Sequence, residues 1–137
     1  MTKHLRLSFS PEVFKSTYTK TLVLGIMVLT SVLGFWFGSK ATLKTEYPFL
    51  AVKTPSMTPT LPVGTLIVVH GNLSGSEINA AYGTGDIIVF YEPPNLDELI
   101  VHRAVEKILV DGVWYFRTKG DYNLYPDIWG GPYTYGG

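Results

Sequence analysis

One long apolar segment divides the chain into two parts of different character. From Thr21 to Ser39, no charged residue interrupts a run of about nineteen residues. As a helix rising ~1.5 Å per residue, this run would span most of a ~30 Å hydrocarbon layer. Three aromatic residues end the run and Lys40 follows them, as is typical of a membrane–water interface. The pattern predicts a transmembrane helix over residues 21–39.

Basic residues on both sides of this segment compete to set its orientation. They are Lys3, Arg6, Lys15 and Lys20 before it, and Lys40, Lys44 and Lys53 after it. We predict a single-pass membrane protein in which residues 1–20 lie in the cytoplasm. Residues 40–137 would then form an extracytoplasmic domain.

Two alternatives for the apolar segment stay open. Ser39 and Ala41 form a small-x-small pair, which would suit a cleaved signal peptide, although the run is longer than a usual signal sequence. Gly34 and Gly38 form a G-x-x-x-G pair, which either lets two helices pack closely or is lipid-facing filler.

The part of the chain after the membrane segment is rich in proline and glycine and leaves no room for a long amphipathic helix. Short apolar runs rich in β-branched residues predict strands. They cover residues 64–70, 86–92, 99–111 and 113–118, and the last two are joined by a two-residue Asp111-Gly112 turn. We predict a mainly β fold, a small antiparallel β domain that follows one N-terminal transmembrane helix.

Composition excludes several kinds of site. The formal net charge is zero and no basic stripe is visible, which argues against a nucleic-acid partner. The chain has no cysteine, so disulfides, thiolate nucleophiles and cysteine-based zinc sites are excluded. The three histidines and the acidic residues show no metal-ligand spacing, and no nucleotide-binding loop is present. We therefore expect neither a metal nor a cofactor.

Ser56 is the first candidate for chemistry, about fifteen residues beyond the predicted membrane exit. Pro55 and Pro59 flank it, which excludes a regular helix or central strand and places its hydroxyl on a stiff loop. Stiffness favours a nucleophile, because less entropy is lost when the hydroxyl is aligned with a substrate carbonyl. An ordinary proline-rich turn would have the same composition.

A serine needs a neighbouring base to become nucleophilic at neutral pH, and the chain offers three histidines. His4 lies on the other side of the predicted membrane segment, and His70 ends a strand where a turn is the simpler interpretation. His102 lies within an apolar strand, where a histidine is either packed and inert or directed into a cleft.

An acidic partner for the histidine is available in the turn-rich stretch over residues 118–127. The predicted hairpin brings this stretch back towards the strand that carries His102. Either Asp121 or Asp127 could accept the imidazole N–H, which would fix the tautomer and stabilise the imidazolium.

Taken in order, these segments resemble type I signal peptidases, and specifically the archaeal and endoplasmic reticulum branch that uses serine and histidine. One N-terminal membrane span is followed by blocks that read P-S-M-x-P-T at 55–60, G-D-I-I-V-F at 85–90, V-H-R-A-V at 101–105 and T-K-G-D-x-N at 118–123. In the bacterial branch the base is a lysine, whereas this chain carries V-H-R at the corresponding strand.

The resemblance implies a role for each candidate residue. Ser56 would be the nucleophile and His102 the general base, with Asp121 and Asp127 as the candidate acidic partners. The backbone N–H of Ser56 and the Thr54 hydroxyl would form the oxyanion hole. Pro55 departs from the small residue that many relatives carry there.

The resemblance also implies the partners. The substrates would be secretory preproteins cut after a small-x-small motif, at the surface of a lipid bilayer, with accessory membrane subunits as further candidates. The compact domain favours an archaeal plasma membrane over the endoplasmic reticulum. Asn72 begins an N-x-S glycosylation triplet, consistent with an extracytoplasmic domain.

Other interpretations remain. One is a self-cleaving, repressor-type peptidase of the same superfamily, but these use a lysine base, and none lies at the position of His102. Another is a membrane-anchored β binding module in which Ser56 and His102 are structural. Residues 130–137 end the chain where relatives continue with further strands, so we expect a C-terminally incomplete domain, a sheet that closes with fewer strands, or an edge completed by a partner.

Overall fold

The computed structural model describes residues 16–92 and 97–128. Its elements, in chain order, are helix α1 (Thr17–Leu43), strand β1 (Phe49–Ala51), a one-turn 3-10 helix (Pro55–Met57), and strands β2 (Leu66–Val68), β3 (Ile87–Tyr91), β4 (Leu99–Val110) and β5 (Val113–Lys119). The chain separates into two compact units, with the boundary between Thr42 and Leu43. The sequence features at Lys3, His4, Arg6 and Lys15, and those over 93–96 and 130–137, lie outside the described residues.

Helix α1 contains the whole predicted membrane segment and extends beyond it at both ends. None of its residues is buried within the described structure, and four of its hydroxyl groups donate to carbonyl groups of the helix itself. Thr30 and Ser31, for example, donate to carbonyl groups one turn earlier at 2.8 and 2.7 Å. By length and composition α1 can cross a membrane. Its orientation and the alternative of a cleaved signal peptide stay predictions, because a signal sequence has the same properties.

The second unit contains two antiparallel sheets, which confirms the prediction of a mainly β domain. Strands β1 and β2 form one sheet, and β3, β4 and β5 form the other in that order. The long central strand β4 pairs with β3 over Leu99–Arg103 and with β5 from Arg103 to Val110, with a register irregularity between Ala104 and Glu106. Both neighbours of β4 therefore overlap close to His102.

The predicted hairpin is present. The turn residues Asp111 and Gly112 both have positive φ, at 49° and 82°, as a type I′ turn requires. This turn suits the right-handed twist of the two strands it joins. It fixes the register in which β5 returns along β4.

Two details differ from the sequence prediction. The predicted 64–70 strand forms ladder pairs only over Leu66–Val68, and its partner strand β1 was not predicted. The proline-flanked segment, predicted as a stiff loop, contains a single 3-10 turn. Proline at its first position needs no N–H partner, and its fixed φ is compatible with a helical turn.

The core of this unit is small. Among the described residues its buried apolar members are Val52, Met57, Ala104 and Val105, with Pro48 also fully enclosed. Two polar residues, His102 and Thr118, are buried with them at 7% and 4% exposure. The candidate histidine is therefore part of the interior, where its ring nitrogens need partners.

The turn gives a first test. Gly112→Ala places a Cβ on a residue with φ of 82°, which costs about 1–2 kcal/mol in the left-handed region. We expect the free energy of unfolding to fall by that amount, measured by urea unfolding of the chain in detergent. Asp111→Asn is the matched control, because asparagine tolerates positive φ. Equal midpoints for the two variants would contradict the turn assignment.

Candidate active site

Ser56 lies in the middle of the 3-10 turn, and its neighbours hold that turn in place. Thr54 enters in an extended conformation, and the Thr58 N–H donates to the Pro55 carbonyl at 2.9 Å to close the turn. Met57 is only 1% exposed and anchors the turn in the core. Ser56 itself is half-buried. Its hydroxyl is thus presented from a turn whose backbone is fixed on both sides.

His102 joins the serine to an acid. Its Nε2 atom lies 3.1 Å from Ser56 Oγ, and its Nδ1 atom lies 2.5 Å from Asp127 Oδ2. When Nδ1 carries the proton it donates to the carboxylate, and the Nε2 lone pair faces the serine hydroxyl. The arrangement is that of a nucleophile, a base and the group that orients the base.

Asp127 is held by Thr118 as well as by His102. The Thr118 hydroxyl donates to Asp127 Oδ2 at 2.7 Å, and the Asp127 N–H donates to the Thr118 carbonyl at 2.8 Å. The side chains of His102 and Asp127 are each 9% exposed. Because hydrogen bonds to ionised groups strengthen in a dry environment, these contacts fix the carboxylate firmly.

The structure separates the two aspartates that the sequence left as alternatives. Asp127 contacts His102, whereas Asp121 forms a bidentate pair with Arg103 at 2.8 and 2.6 Å. Hydrogen bonds from Arg103 and then from Thr60 hold the pKa of Asp121 below its usual value, against an opposing effect of burial. The same pairing raises the pKa of Arg103. Asp121 is therefore not placed to accept a proton from the histidine.

The Thr54 hydroxyl lies 3.3 Å from Ser56 Oγ, so the structure brings this predicted oxyanion-hole residue to the nucleophile. The first N–H groups of a helical turn have no acceptor within the turn. The Ser56 N–H belongs to this group, which makes it a candidate donor to a developing oxyanion.

The other two histidines are not part of this arrangement. His70 is exposed in the segment that follows β2, and His4 lies outside the described residues. Over residues 16–92 and 97–128, no three side chains among histidine and the acids are grouped as metal ligands.

Three residues that the sequence analysis did not assign take part in the site or border it. Thr118 and Arg103 were visible within the quoted sequence blocks, but their partners depend on the β4–β5 register. Thr60, which donates to Asp121 at 2.6 Å, also lies within one of these blocks, but its partner depends on the path of the loop after β5.

The Thr118 contact gives a test of the site that needs no substrate. Thr118→Val keeps the shape but removes the donor to a buried carboxylate, and hydrogen bonds to charged groups are worth about 1.5–3 kcal/mol. We expect the free energy of unfolding at pH 7 to fall by about 2 kcal/mol. Thr118→Ser, which keeps a hydroxyl, is the matched control. Equal losses for Val and Ser would show that the hydroxyl does not hold Asp127.

The Arg103–Asp121 pair predicts a pH dependence. Because the folded-state pKa of Asp121 is lowered, its stabilising contribution is complete above the unfolded pKa of about 3.9 and is lost as pH falls through the lower folded value. The difference in unfolding free energy between wild type and Asp121→Asn should therefore be full at pH 7 and shrink below about pH 4.

Glu106→Gln is the control for this measurement, because Glu106 pairs with Arg117 on the surface at 3.6 Å, with both side chains about half exposed. Exposed pairs of this kind contribute little. A difference for Asp121→Asn that is the same at pH 7 and pH 3 would contradict the assignment.

Comparisons of the chain with models of protein families, with curated proteins and with solved structures found no match. The spacing of Ser56, His102 and Asp127 is therefore the observation from which a function has to be inferred.

Proposed function

We propose that this chain is a membrane-anchored serine endopeptidase of the type I signal peptidase kind, which removes signal peptides from secretory preproteins. The observation that carries the proposal is the contact of His102 with Ser56 on one ring nitrogen and with Asp127 on the other, at 3.1 and 2.5 Å. These three residues lie far apart in sequence, on three different segments. Their order along one hydrogen-bonded line is the arrangement that serves acyl transfer to a serine hydroxyl with a histidine base.

The chemistry follows from the atoms in contact. His102 Nε2 takes the proton of the Ser56 hydroxyl as Oγ attacks the scissile carbonyl, and the Ser56 N–H and Thr54 hydroxyl receive the oxyanion. Nε2 then gives its proton to the leaving amine, the peptide bond breaks, and an ester to Ser56 remains. Water, deprotonated by the same imidazole, hydrolyses that ester and regenerates the serine.

A groove in the second unit supports a peptide substrate. It has a volume of about 890 Å³ and its walls include Leu50, Ile67, Ile88 and Phe90. Ser56, His102 and Asp127 are not among the residues that line it, but Ile88, which does, lies directly opposite His102 in the β3–β4 pairing. Apolar walls with a few polar groups are typical of sites that bind uncharged ligand segments, and small-x-small cleavage motifs are such segments.

The N-terminal helix supports a location at a membrane. Helix α1 ends at Leu43, and Ser56 follows it within a short stretch of chain. A catalytic domain tethered in this way meets membrane-inserted preproteins at a raised effective concentration. The proposed topology puts the N-terminus in the cytoplasm and the domain outside it, in an archaeal plasma membrane rather than the endoplasmic reticulum. Accessory membrane subunits are further proposed partners.

The test is cleavage of a preprotein by the full chain in proteoliposomes. Ser56→Ala and His102→Ala should each lower the rate by about 10⁴-fold or more, because the nucleophile and its base act as one unit. Asp127→Asn should lower kcat strongly, because an asparagine amide stabilises the wrong histidine tautomer. Sequencing of the product should place the cut after a small-x-small motif.

Ser74→Ala is the matched control, because Ser74 is exposed and is not among the residues that line the groove. It should cleave at the wild-type rate. Cleavage by Ser56→Ala at the wild-type rate would overturn the catalytic assignment. A cut at random positions would overturn the substrate assignment while leaving the serine protease intact.

A further inference from the structure

Ser56, His102 and Asp127 form what we call the catalytic line. A second polar cluster lies next to this line and shares no residue with it. Arg103 donates from Nε to Asp121 Oδ1 at 2.8 Å and from Nη2 to Asp121 Oδ2 at 2.6 Å. Its Nη1 donates to the Gly85 carbonyl at 2.6 Å, and Thr60 donates to Asp121 Oδ2 at 2.6 Å. We call these four residues the Arg103 cluster. The planar guanidinium fork fixes both the distance and the angle of the carboxylate it binds.

Three members of the cluster each share a chain segment with one member of the catalytic line. Two of them lie within a few residues of a catalytic residue, and the third lies in the same loop after β5 as its catalytic residue. The pairs are Thr60 with Ser56, Arg103 with His102, and Asp121 with Asp127. The cluster therefore joins the same three segments a second time.

Arg103 is not placed to touch the reacting atoms. Successive side chains along a strand point to opposite faces, so Arg103 leaves β4 on the face opposite to His102. Any influence on the reaction must pass through the backbone and the segments that it joins. Arg103 and Asp121 are in this sense positioning residues rather than catalytic ones.

The loop that contains Asp121 lies directly on the nucleophile turn. The Tyr122 N–H donates to the Ser56 carbonyl at 2.9 Å. A Cβ on residue 120 would lie 2.6 Å from the same carbonyl oxygen, so only glycine fits there without a shift. Asp121 lies between Gly120 and Tyr122, so its fixation by Arg103 bears directly on the part of the loop that packs against the nucleophile turn.

A contribution to folding stability does not by itself explain why Arg103 and Asp121 form a buried ion pair. The side chains of Arg103 and Asp121 are only 12% and 16% exposed, so both charges have lost most of their water. The attraction within a buried pair often no more than offsets this loss, and apolar replacements are frequently as stable. What an apolar pair would not supply is a defined distance between the loop and the strand.

We propose that Arg103 and Asp121 set the distance between the Ser56 hydroxyl and the His102 imidazole, with Thr60 linking them to the nucleophile turn. This inference rests on the proposed peptidase function. Displacement of a reacting group by about 1 Å lowers rates on the order of 10²-fold. Loss of the pair should therefore lower kcat by that factor and leave KM nearly unchanged, because the substrate groove keeps its lining.

The experiment measures kcat and KM for preprotein cleavage by the full chain in proteoliposomes, and the rate at which a fluorophosphonate probe labels Ser56. The variants are Arg103→Gln, Asp121→Asn, the double variant, Arg103→Lys and, as matched control, Arg117→Gln from the exposed pair on the same sheet. Each single variant should lose kcat and labelling rate together. Arg103→Lys, which keeps the charge but loses the fork, should lie between wild type and Arg103→Gln.

The double variant separates positioning from folding. If the pair acts as one unit, the double variant should lose no more kcat than the more damaging single variant. The double variant also leaves no buried charge without a partner. Losses that multiply in the double variant would overturn the inference, as would single variants with the wild-type kcat and a raised KM. A folded double variant with full kcat would overturn it even where the single variants fail to fold.

Failure of the proposed function would give a different result from failure of the positioning role. In that case the wild-type chain neither cleaves the preprotein nor reacts with the probe at Ser56, and the inference falls with it. When wild type cleaves and Ser56→Ala does not, the outcome for the Arg103 and Asp121 variants decides the positioning role alone.

Discussion

The pairing of β4 with β5 is the constraint on which the site depends. Strand β4 carries His102, and the Asp111-Gly112 turn returns the chain so that Lys119 lies opposite Arg103. The chain therefore leaves β5 beside the histidine, and Asp127 is within reach of its ring. A shift of one residue in this register would move every β5 side chain to the other face. Thr118 would then no longer donate to Asp127.

The two aspartates of the returning loop have different kinds of partner. Asp121 faces a guanidinium, which stays charged throughout the pH range of protein function, so its geometry does not depend on the state of the histidine. Asp127 faces an imidazole, whose charge changes whenever a proton is exchanged with a serine. A permanent ion pair suits a group that fixes distances. A carboxylate beside a titrating ring suits a group that stabilises transient charge.

The sequence predicted those parts of the fold that local pattern determines. The apolar run gave α1, and the β-branched runs with their two-residue turn gave β3, β4 and β5 close to their observed bounds. Strand β1 has only three residues and no alternation to reveal it. The choice between Asp121 and Asp127 could not be made, because it depends on the path of a loop after β5. The Arg103–Asp121 pair was hidden for the same reason, since it joins residues that only the hairpin register brings together.

The small core explains why the site and the fold share their contacts. Few apolar side chains are buried in the second unit, and His102 and Thr118 lie among them. Polar groups in such a position need hydrogen-bond partners. Both side chains contact Asp127, and His102 also contacts Ser56. Met57, next to Ser56, is buried as well, so its side chain anchors the 3-10 turn in the core. The histidine and the aspartate are thus enclosed, while Ser56 is half-buried. Under the proposed function, a substrate that approaches this site would meet the hydroxyl first, with His102 and Asp127 already aligned behind it.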